Sequence, residues 1–96
     1  MGRALDILVE CSCEQAAYEL AGRFAKTLCE CGINFKHYAF NKIIILGNND
    51  IFRFVRWDDE DAHRGFRGKV VDEYDIEKYI YALPLMRKFY DKELLL

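Results

Sequence analysis

The residues best suited to chemistry in this 96-residue chain are two adjacent carboxylates, Asp72 and Glu73. They follow a short β-branched run, Lys69–Val71, and a helical pattern begins directly after them. A strand that stops at an acidic pair places both carboxylates at the C-terminal edge of a sheet, which is where open α/β sheets bind ligands. The alternative is structural, because the dipole at the start of a helix also favours solvated carboxylates.

An apolar strand that ends in Asp-Glu has the form of a Walker B motif, in which the Asp holds Mg²⁺ and the Glu orients the attacking water. Upstream lie a polar turn and strand at residues 48–55 and an Arg-Gly loop at 64–68. This succession resembles the middle of the ATPase domain of phage terminase large subunits and related helicase-like P-loop ATPases. The Gln15-Ala16 step resembles the opening of the helix after that family's second core strand, so the likeness covers roughly residues 5–77.

The chain departs from that family at the phosphate-binding loop. A Walker A loop needs G-x-x-x-x-G-K-[ST], and the one Gly-Lys step, Gly68-Lys69, has His63 in place of the first glycine and Val70 after the lysine. The resemblance implies that Asp72 and Glu73 are the acid pair and that Arg64 is the loop arginine. Without the phosphate loop we expect a vestigial pair, no catalytic residues, no cofactor and no metal.

The elements that position these residues begin with a βα unit. The apolar run in Leu5–Cys11 predicts a strand covered on both faces. Ser12 followed by Gln15 predicts a capping box that starts a helix, and Gly32 predicts its left-handed end. The residues expected on the buried stripe of this helix are Ala17, Leu20, Ala21, Phe24 and Leu28.

Two further strands, 42–46 and 51–57, flank a Gly-Asn turn and predict a hairpin, whereas 33–41 predicts a loop or a short strand. The segment 75–96 has a helical period that contains Pro84, which predicts a kink or a break into two helices. The chain is therefore predicted to be a single α/β domain, 1–96. It would have a small mixed sheet, a βα unit, a β-hairpin, a further strand ending in Asp-Glu and one or two C-terminal helices, in the order β-α-β-β-β-α.

The resemblance also predicts how the strands pair. In the ATPases, the strand that opens the βα unit lies beside the Walker B strand, so Leu5–Cys11 should pair in parallel with Lys69–Asp72 after a right-handed crossover. The family's further core strands are missing, so the outer edge of Lys69–Asp72 must be covered by a helix or paired with another chain.

Composition narrows the classes of partner. The net charge is −2 and 31% of residues are charged, with both signs mixed, so no basic field indicates nucleic acid. No apolar run approaches the roughly 20 residues that span a membrane, and we expect a cytoplasmic protein. Four cysteines form two C-x-C pairs, at 11/13 and 29/31. The helix between the pairs separates them by roughly 24 Å, which predicts free thiols; metal binding, or a cluster joining two chains, is the alternative.

The remaining charged segments offer two kinds of interaction. Residues 58–61 are four consecutive acids, which we interpret as a surface loop, or as an acidic patch that competes with nucleic acid for a basic groove on another protein. Arginines 53, 56, 64 and 67, interleaved with Trp57 and Phe66, could instead contact phosphates and bases. The candidate interaction residues are Trp57, Asp58, Asp59, Glu60, Asp61, Arg64 and Arg67.

These observations predict a non-enzymatic protein-binding module that is encoded by a phage or mobile element. It would derive from or mimic part of a terminase-like ATPase and act as an inhibitor, including a counter-defence protein, or as an accessory subunit. The alternatives are a partial ATPase subunit completed by a partner that carries the phosphate loop, or a small nucleic-acid-binding protein. A homodimer through the open sheet edge or the C-terminal helix is a further expectation.

Overall fold

The computed structural model describes residues 4–94 of the chain, with side chains described for residues 4–84. The elements in chain order are β1 (Asp6–Cys11), α1 (Glu14–Glu30), β2 (Phe35–Tyr38), β3 (Ile43–Leu46), β4 (Ile51–Arg56), α2 (Glu60–His63), β5 (Lys69–Asp72) and α3 (Glu73–Leu94). The mixed α/β class is confirmed. Strand β2 occupies the segment predicted as a loop or short strand, and α2 is an addition within the predicted surface loop.

The five strands form one mixed sheet in the order β2-β3-β4-β1-β5. Strand β1 is central and pairs in parallel with both β4 and β5, so that Val9 lies opposite Phe54 on one side and Val71 on the other. Strands β2, β3 and β4 pair antiparallel, which confirms the hairpin. The predicted parallel pairing of the first strand with Lys69–Asp72 is therefore confirmed, and β5 is an edge strand whose Val70 is 47% exposed.

One face of the sheet carries the main core. Ile7 and Val9 of β1 and Phe52 and Phe54 of β4 pack against the predicted stripe of α1, all of which is buried. Phe24 lies at the centre, and its ring centroid is 4.8 Å from that of Phe52 in the edge-to-face arrangement that aromatic pairs prefer. Helix α3 completes this layer through three buried residues, Ile76, Ile80 and Leu83.

The segment 57–68, which contains α2, lies over part of the other face. Side chains alternate along a strand, so Leu8 and Glu10 point away from the main core, and Leu8 is nevertheless fully buried. The chain moves from β1 to β4 across the α1 face and returns from β4 to β5 across this face. Crossing in opposite directions on opposite faces gives both connections the same hand, as parallel connections require.

Helix α1 corrects one prediction and confirms another. The N-cap is Cys13 and not Ser12, because the helix begins at Glu14 and the Cys13 Sγ accepts the hydrogen bond from the Ala16 N–H at 3.4 Å. The Gln15 side chain therefore bonds to Glu19 at 3.1 Å and not back to the cap. Gly32 has φ 71°, the left-handed conformation predicted for the end of the helix.

Helix α3 corrects the prediction at Pro84. The helix continues through Pro84 to Leu94 as one element, so a break into two helices is wrong. Proline removes one backbone hydrogen bond from a helix interior, and the ladder on either side of it maintains the element. Leu95 and Leu96 lie outside the described residues.

Candidate functional site at the carboxyl rim

The carboxyl ends of β1, β4 and β5 meet at one end of the sheet, together with the end of β2 and the start of β3. We call this surface the carboxyl rim and define it as residues 11–14, 38–42, 56–61 and 72–75. These segments contain two basic residues, Lys42 and Arg56, and eight acidic ones. The acidic residues are Glu14, Asp58, Asp59, Glu60, Asp61, Asp72, Glu73 and Asp75.

The predicted acid pair lies on the rim, at the junction between β5 and α3. The Asp72 Oδ1 accepts the Asp75 N–H at 2.9 Å, and the Asp75 Oδ2 accepts the Asp72 N–H at 3.2 Å. These reciprocal bonds satisfy backbone donors that the first turn of a helix leaves unpaired, as a capping box does. The observed role of Asp72 is therefore to start α3.

Glu73 is the first residue of α3 and lies partly buried beside Cys11, at the end of β1. Burial, and to a smaller extent the nearby charges of Glu73 and Cys13, together raise the pKa of the Cys11 thiol to about 12. Because a nucleophilic cysteine must be a thiolate, Cys11 is unreactive at neutral pH. Cys31 is also buried, Cys13 and Cys29 are exposed, and all four cysteines are free.

His63 joins the short helix α2 to the central strand. Its Nε2 lies 2.8 Å from the Glu10 Oε2, and its Nδ1 lies 2.6 Å from the Asp59 backbone oxygen. The Asp59 carbonyl and then the Glu10 carboxylate raise the pKa of His63, because both accept a hydrogen bond from the charged imidazolium and so stabilise it. With both ring nitrogens occupied, His63 fastens α2 to the sheet and is not free to act as a general base.

The acidic run 58–61 is more ordered than the predicted loop. The Asp59 side chain caps α2 by accepting the Ala62 N–H at 3.1 Å, and Asp58 pairs with Arg56 at 2.9 Å. Arg64 follows α2 and lies 4.0 Å from Asp61. The candidate interaction residues Trp57 and 58–61 therefore share the carboxyl rim.

Arg67 is separated from that group. It lines a shallow groove with Leu5 and Lys69 at the opposite end of the sheet, the end at which β1 and β5 begin. A second open groove, of about 410 Å³, lies between the second sheet face and the segment 61–66. Arg53 lines that groove and pairs with Asp6 at 3.3 Å. The arginines proposed for nucleic acid are therefore dispersed, and three of them pair with carboxylates.

Exposed aromatic side chains lie together at the carboxyl rim, a grouping that no motif in the sequence indicates. Phe40 is 86% exposed, Tyr74 67% and Trp57 63%, and Tyr38 is also exposed. Tyr18 of α1 adjoins them, since its hydroxyl lies 3.4 Å from the Phe40 backbone oxygen. Within residues 4–84, Tyr81 of α3 is the one exposed aromatic residue outside this group. The one hint of this group in the sequence is the segment 33–41, in which closely spaced aromatic residues follow neither a strand nor a helix period.

One cation at the rim, the Lys42 ammonium, contacts both an aromatic ring and a carboxylate. The Lys42 Nζ lies 4.5 Å from the centroid of the Tyr18 ring and 3.3 Å from the Glu14 Oε1. A ring face and a carboxylate both attract an ammonium group, and their attractions add when the two lie on either side of it. The described residues, 4–94, contain no group of three or more His, Cys, Asp or Glu side chains that could hold a metal ion.

In the described part of the chain no helix has both the length and the apolar character needed to cross a bilayer. No protein-family model, no curated protein and no solved structure matches this chain.

Proposed function

We propose that this protein is a non-enzymatic protein-binding module that docks its partner through the carboxyl rim. It would act as an inhibitor or accessory subunit in the cytoplasm of a cell that carries a phage or mobile element. The observation that carries the proposal is the exposure of Phe40, Trp57 and Tyr74 on one end of the sheet.

Large aromatic side chains that are exposed to solvent contribute little to the folding stability of the chain alone. Burying such side chains against a second protein removes apolar area from water, and aromatic residues are enriched both at interfaces and among the residues that dominate binding energy. The fold does not need these rings for its core, since Phe24, Phe52 and Phe54 are buried there between α1 and one face of the sheet. The rim aromatics are therefore available to a partner.

The reactive groups near the rim support a non-enzymatic role. Asp72 is engaged in capping α3, both nitrogens of His63 are bonded, and the Cys11 thiol is buried with a raised pKa. An ATPase ancestry rests on the resemblance of the 48–73 motifs, and the parallel pairing of β1 with β5 is compatible with it.

One observation favours a second candidate, a partial ATPase completed by another chain. The outer edge of β5 bears no strand among the described residues, and Val70 is exposed there. A partner carrying a phosphate loop could add its strand to this edge by backbone pairing. Such a complex would bind Mg-nucleotide, whereas the proposed inhibitor would bind its partner without nucleotide.

Site-specific photo-crosslinking tests the proposal. A photoreactive phenylalanine replaces Phe40 or Trp57 in the cell of origin, with the same residue at Tyr81 as a matched exposed aromatic and at Leu5 as a probe of the opposite end. Both rim positions should capture the same protein, and both controls should capture much less. Equal capture from Leu5 or Tyr81, or capture that occurs only with Mg-nucleotide, would contradict the proposal.

A further inference from the structure

We propose that the rim recognises a cationic segment of its partner, an arginine- or lysine-rich stretch of protein chain whose charged groups lie between rim rings and rim carboxylates. This inference rests on the proposed function and adds the chemistry of the partner to it.

The arrangement of Tyr18, Lys42 and Glu14 shows how this surface holds a cation. The Lys42 ammonium lies over the Tyr18 ring at 4.5 Å and beside the Glu14 carboxylate at 3.3 Å. The Lys42 side chain is only 16% exposed in this position, whereas that of Glu14 is 61% exposed. A cation can thus give up much of its contact with water here, because a ring and a carboxylate replace it.

Two other exposed rings of the rim have carboxylates next to them in the sequence, and no cation of the described side chains, 4–84, lies on either ring. Trp57 is followed by Asp58 and Asp59, and Tyr74 lies between Glu73 and Asp75 in the sequence, with both rings more than half exposed. Asp59 and Asp75 also accept backbone N–H groups at helix starts and Asp58 pairs with Arg56, but a carboxylate has about four acceptor sites and these three residues are exposed. The rim therefore offers two further exposed rings, Trp57 and Tyr74, in an acidic part of the surface where a cation from a partner can bind.

Charge complementarity identifies the occupant. The rim segments contain eight acidic and two basic residues, whereas the chain as a whole carries a net charge of only −2. A surface of this sign repels phosphate groups, which argues against a nucleic-acid backbone as the occupant. It attracts a basic segment of a protein chain. Arginine suits the site best, because its planar guanidinium stacks on aromatic faces while donating hydrogen bonds to carboxylates.

The single tryptophan makes the test direct. Trp57 is the one Trp in the chain and lies on the rim, so its fluorescence reports occupancy of the proposed site. The probes are octa-arginine, octa-lysine, octa-glutamate and a single-stranded oligonucleotide, each carrying a dye so that anisotropy measures affinity independently. Octa-arginine should change Trp57 emission and bind tightest, with octa-lysine weaker and the two anionic probes without effect. Affinity should fall as salt is raised.

Matched variants separate ring recognition from general attraction to an acidic protein. Tyr74→Ser should weaken octa-arginine binding about fivefold, the loss expected for one cation–ring contact of about 1 kcal/mol. The control Tyr81→Ser removes a tyrosine of the same helix that is at least as exposed, and it should leave affinity unchanged. Equal losses in the two variants, or oligonucleotide binding stronger than octa-arginine binding, would overturn the inference.

The two proposals fail in different ways. Capture of one protein from Phe40 and Trp57 through an uncharged or acidic segment would overturn the cationic partner and leave docking at the rim intact. Capture from the control positions alone would overturn both.

Discussion

The two ends of the sheet differ in their charge balance and in the exposure of their aromatic side chains. At the amino end, the Asp50 carboxylate accepts the Leu5 N–H at 2.8 Å, and the Leu5 carbonyl accepts the Ile51 N–H at 2.8 Å. The backbone of Gly68 packs directly against that of Asp6. The segments 4–6, 46–50 and 66–69 carry two acidic and two basic residues, so their charges balance.

The carboxyl rim also has backbone hydrogen bonds between neighbouring segments, such as the Trp57 N–H donated to the Cys11 carbonyl at 2.9 Å. In addition it has an excess of carboxylates and a set of exposed rings, and these are not needed to hold the segments together. Residues at the amino end thus hold the chain together, whereas the exposed rings of the rim are free to contact a partner. This difference predicts that changes at the amino end act on stability, whereas changes to the rim rings act on binding.

The largest expected effect is at the amino end, from Gly68→Ala. A Cβ at this position would overlap the Asp6 carbonyl oxygen, which is backbone and cannot move without shifting β1 against β5. We expect a loss of about 3 kcal/mol in the free energy of unfolding, measured by urea denaturation. The control Gly22→Ala has no atom within 4 Å of the new Cβ and lies within α1, so it should stabilise the protein by about 0.5–1 kcal/mol. Unchanged stability in Gly68→Ala would contradict the close packing.

A smaller effect is expected from Asp72→Ala on the rim. Removing the cap of α3 should cost about 1 kcal/mol, whereas Asp72→Ser keeps an oxygen that can accept the Asp75 N–H and should retain most of the stability. Thermal and urea unfolding of the two variants compare them directly. Equal stability of Asp72→Ala and the parent protein would show that the carboxylate does not act as a cap.

The His63–Glu10 pair gives a weaker, pH-dependent effect. The pKa of His63 is raised in the folded state, so its stabilisation is fully present below the unfolded value near 6.5 and is lost as pH rises through the folded pKa. The free energy of unfolding should therefore fall as pH rises above about 6.5, by less than about 1 kcal/mol because the pair is partly exposed. His63→Gln should flatten this part of the profile, and His37→Gln on the exposed strand β2 should keep it. A slope that survives His63→Gln would place the effect elsewhere.

The smallest effect on stability is expected from the rim rings. Phe40→Ser and Trp57→Ser change exposed side chains, so the free energy of unfolding should stay within about 0.5 kcal/mol of the parent value. Partner capture by an affinity-tagged chain should fall at least about tenfold in the double variant, which corresponds to the loss of one strong interface residue. A double variant that unfolds easily would instead assign these rings to the fold.

Much of the fold follows from local patterns in the sequence. The βα unit, the hairpin and the end of α1 at Gly32 were predictable because period, turn residues and positive φ are properties of neighbouring residues. The cap at Cys13 was missed because a thiol seldom serves as an N-cap and Ser12 is the usual choice. His63 and Glu10 are 53 residues apart, so no local signal joins them.

The rim rings could not be identified from composition alone. Phe40 and Phe54 are chemically the same, yet one is 86% exposed and the other is fully buried, and only the packing of α1 and α3 on one sheet face decides between them. The acid pair was found from the end of an apolar run. Its role in starting α3 depends on Asp75, which the Walker-like pattern leaves out.

Hydrogen exchange of the chain, free and bound to the protein captured by crosslinking, tests most directly whether the two ends differ in role. The account predicts that the partner protects amides in 38–42, 57–61 and 72–75 and leaves 47–50 and 65–69 unchanged. Protection confined to the amino end or to the outer edge of β5, with the rim unchanged, would contradict it.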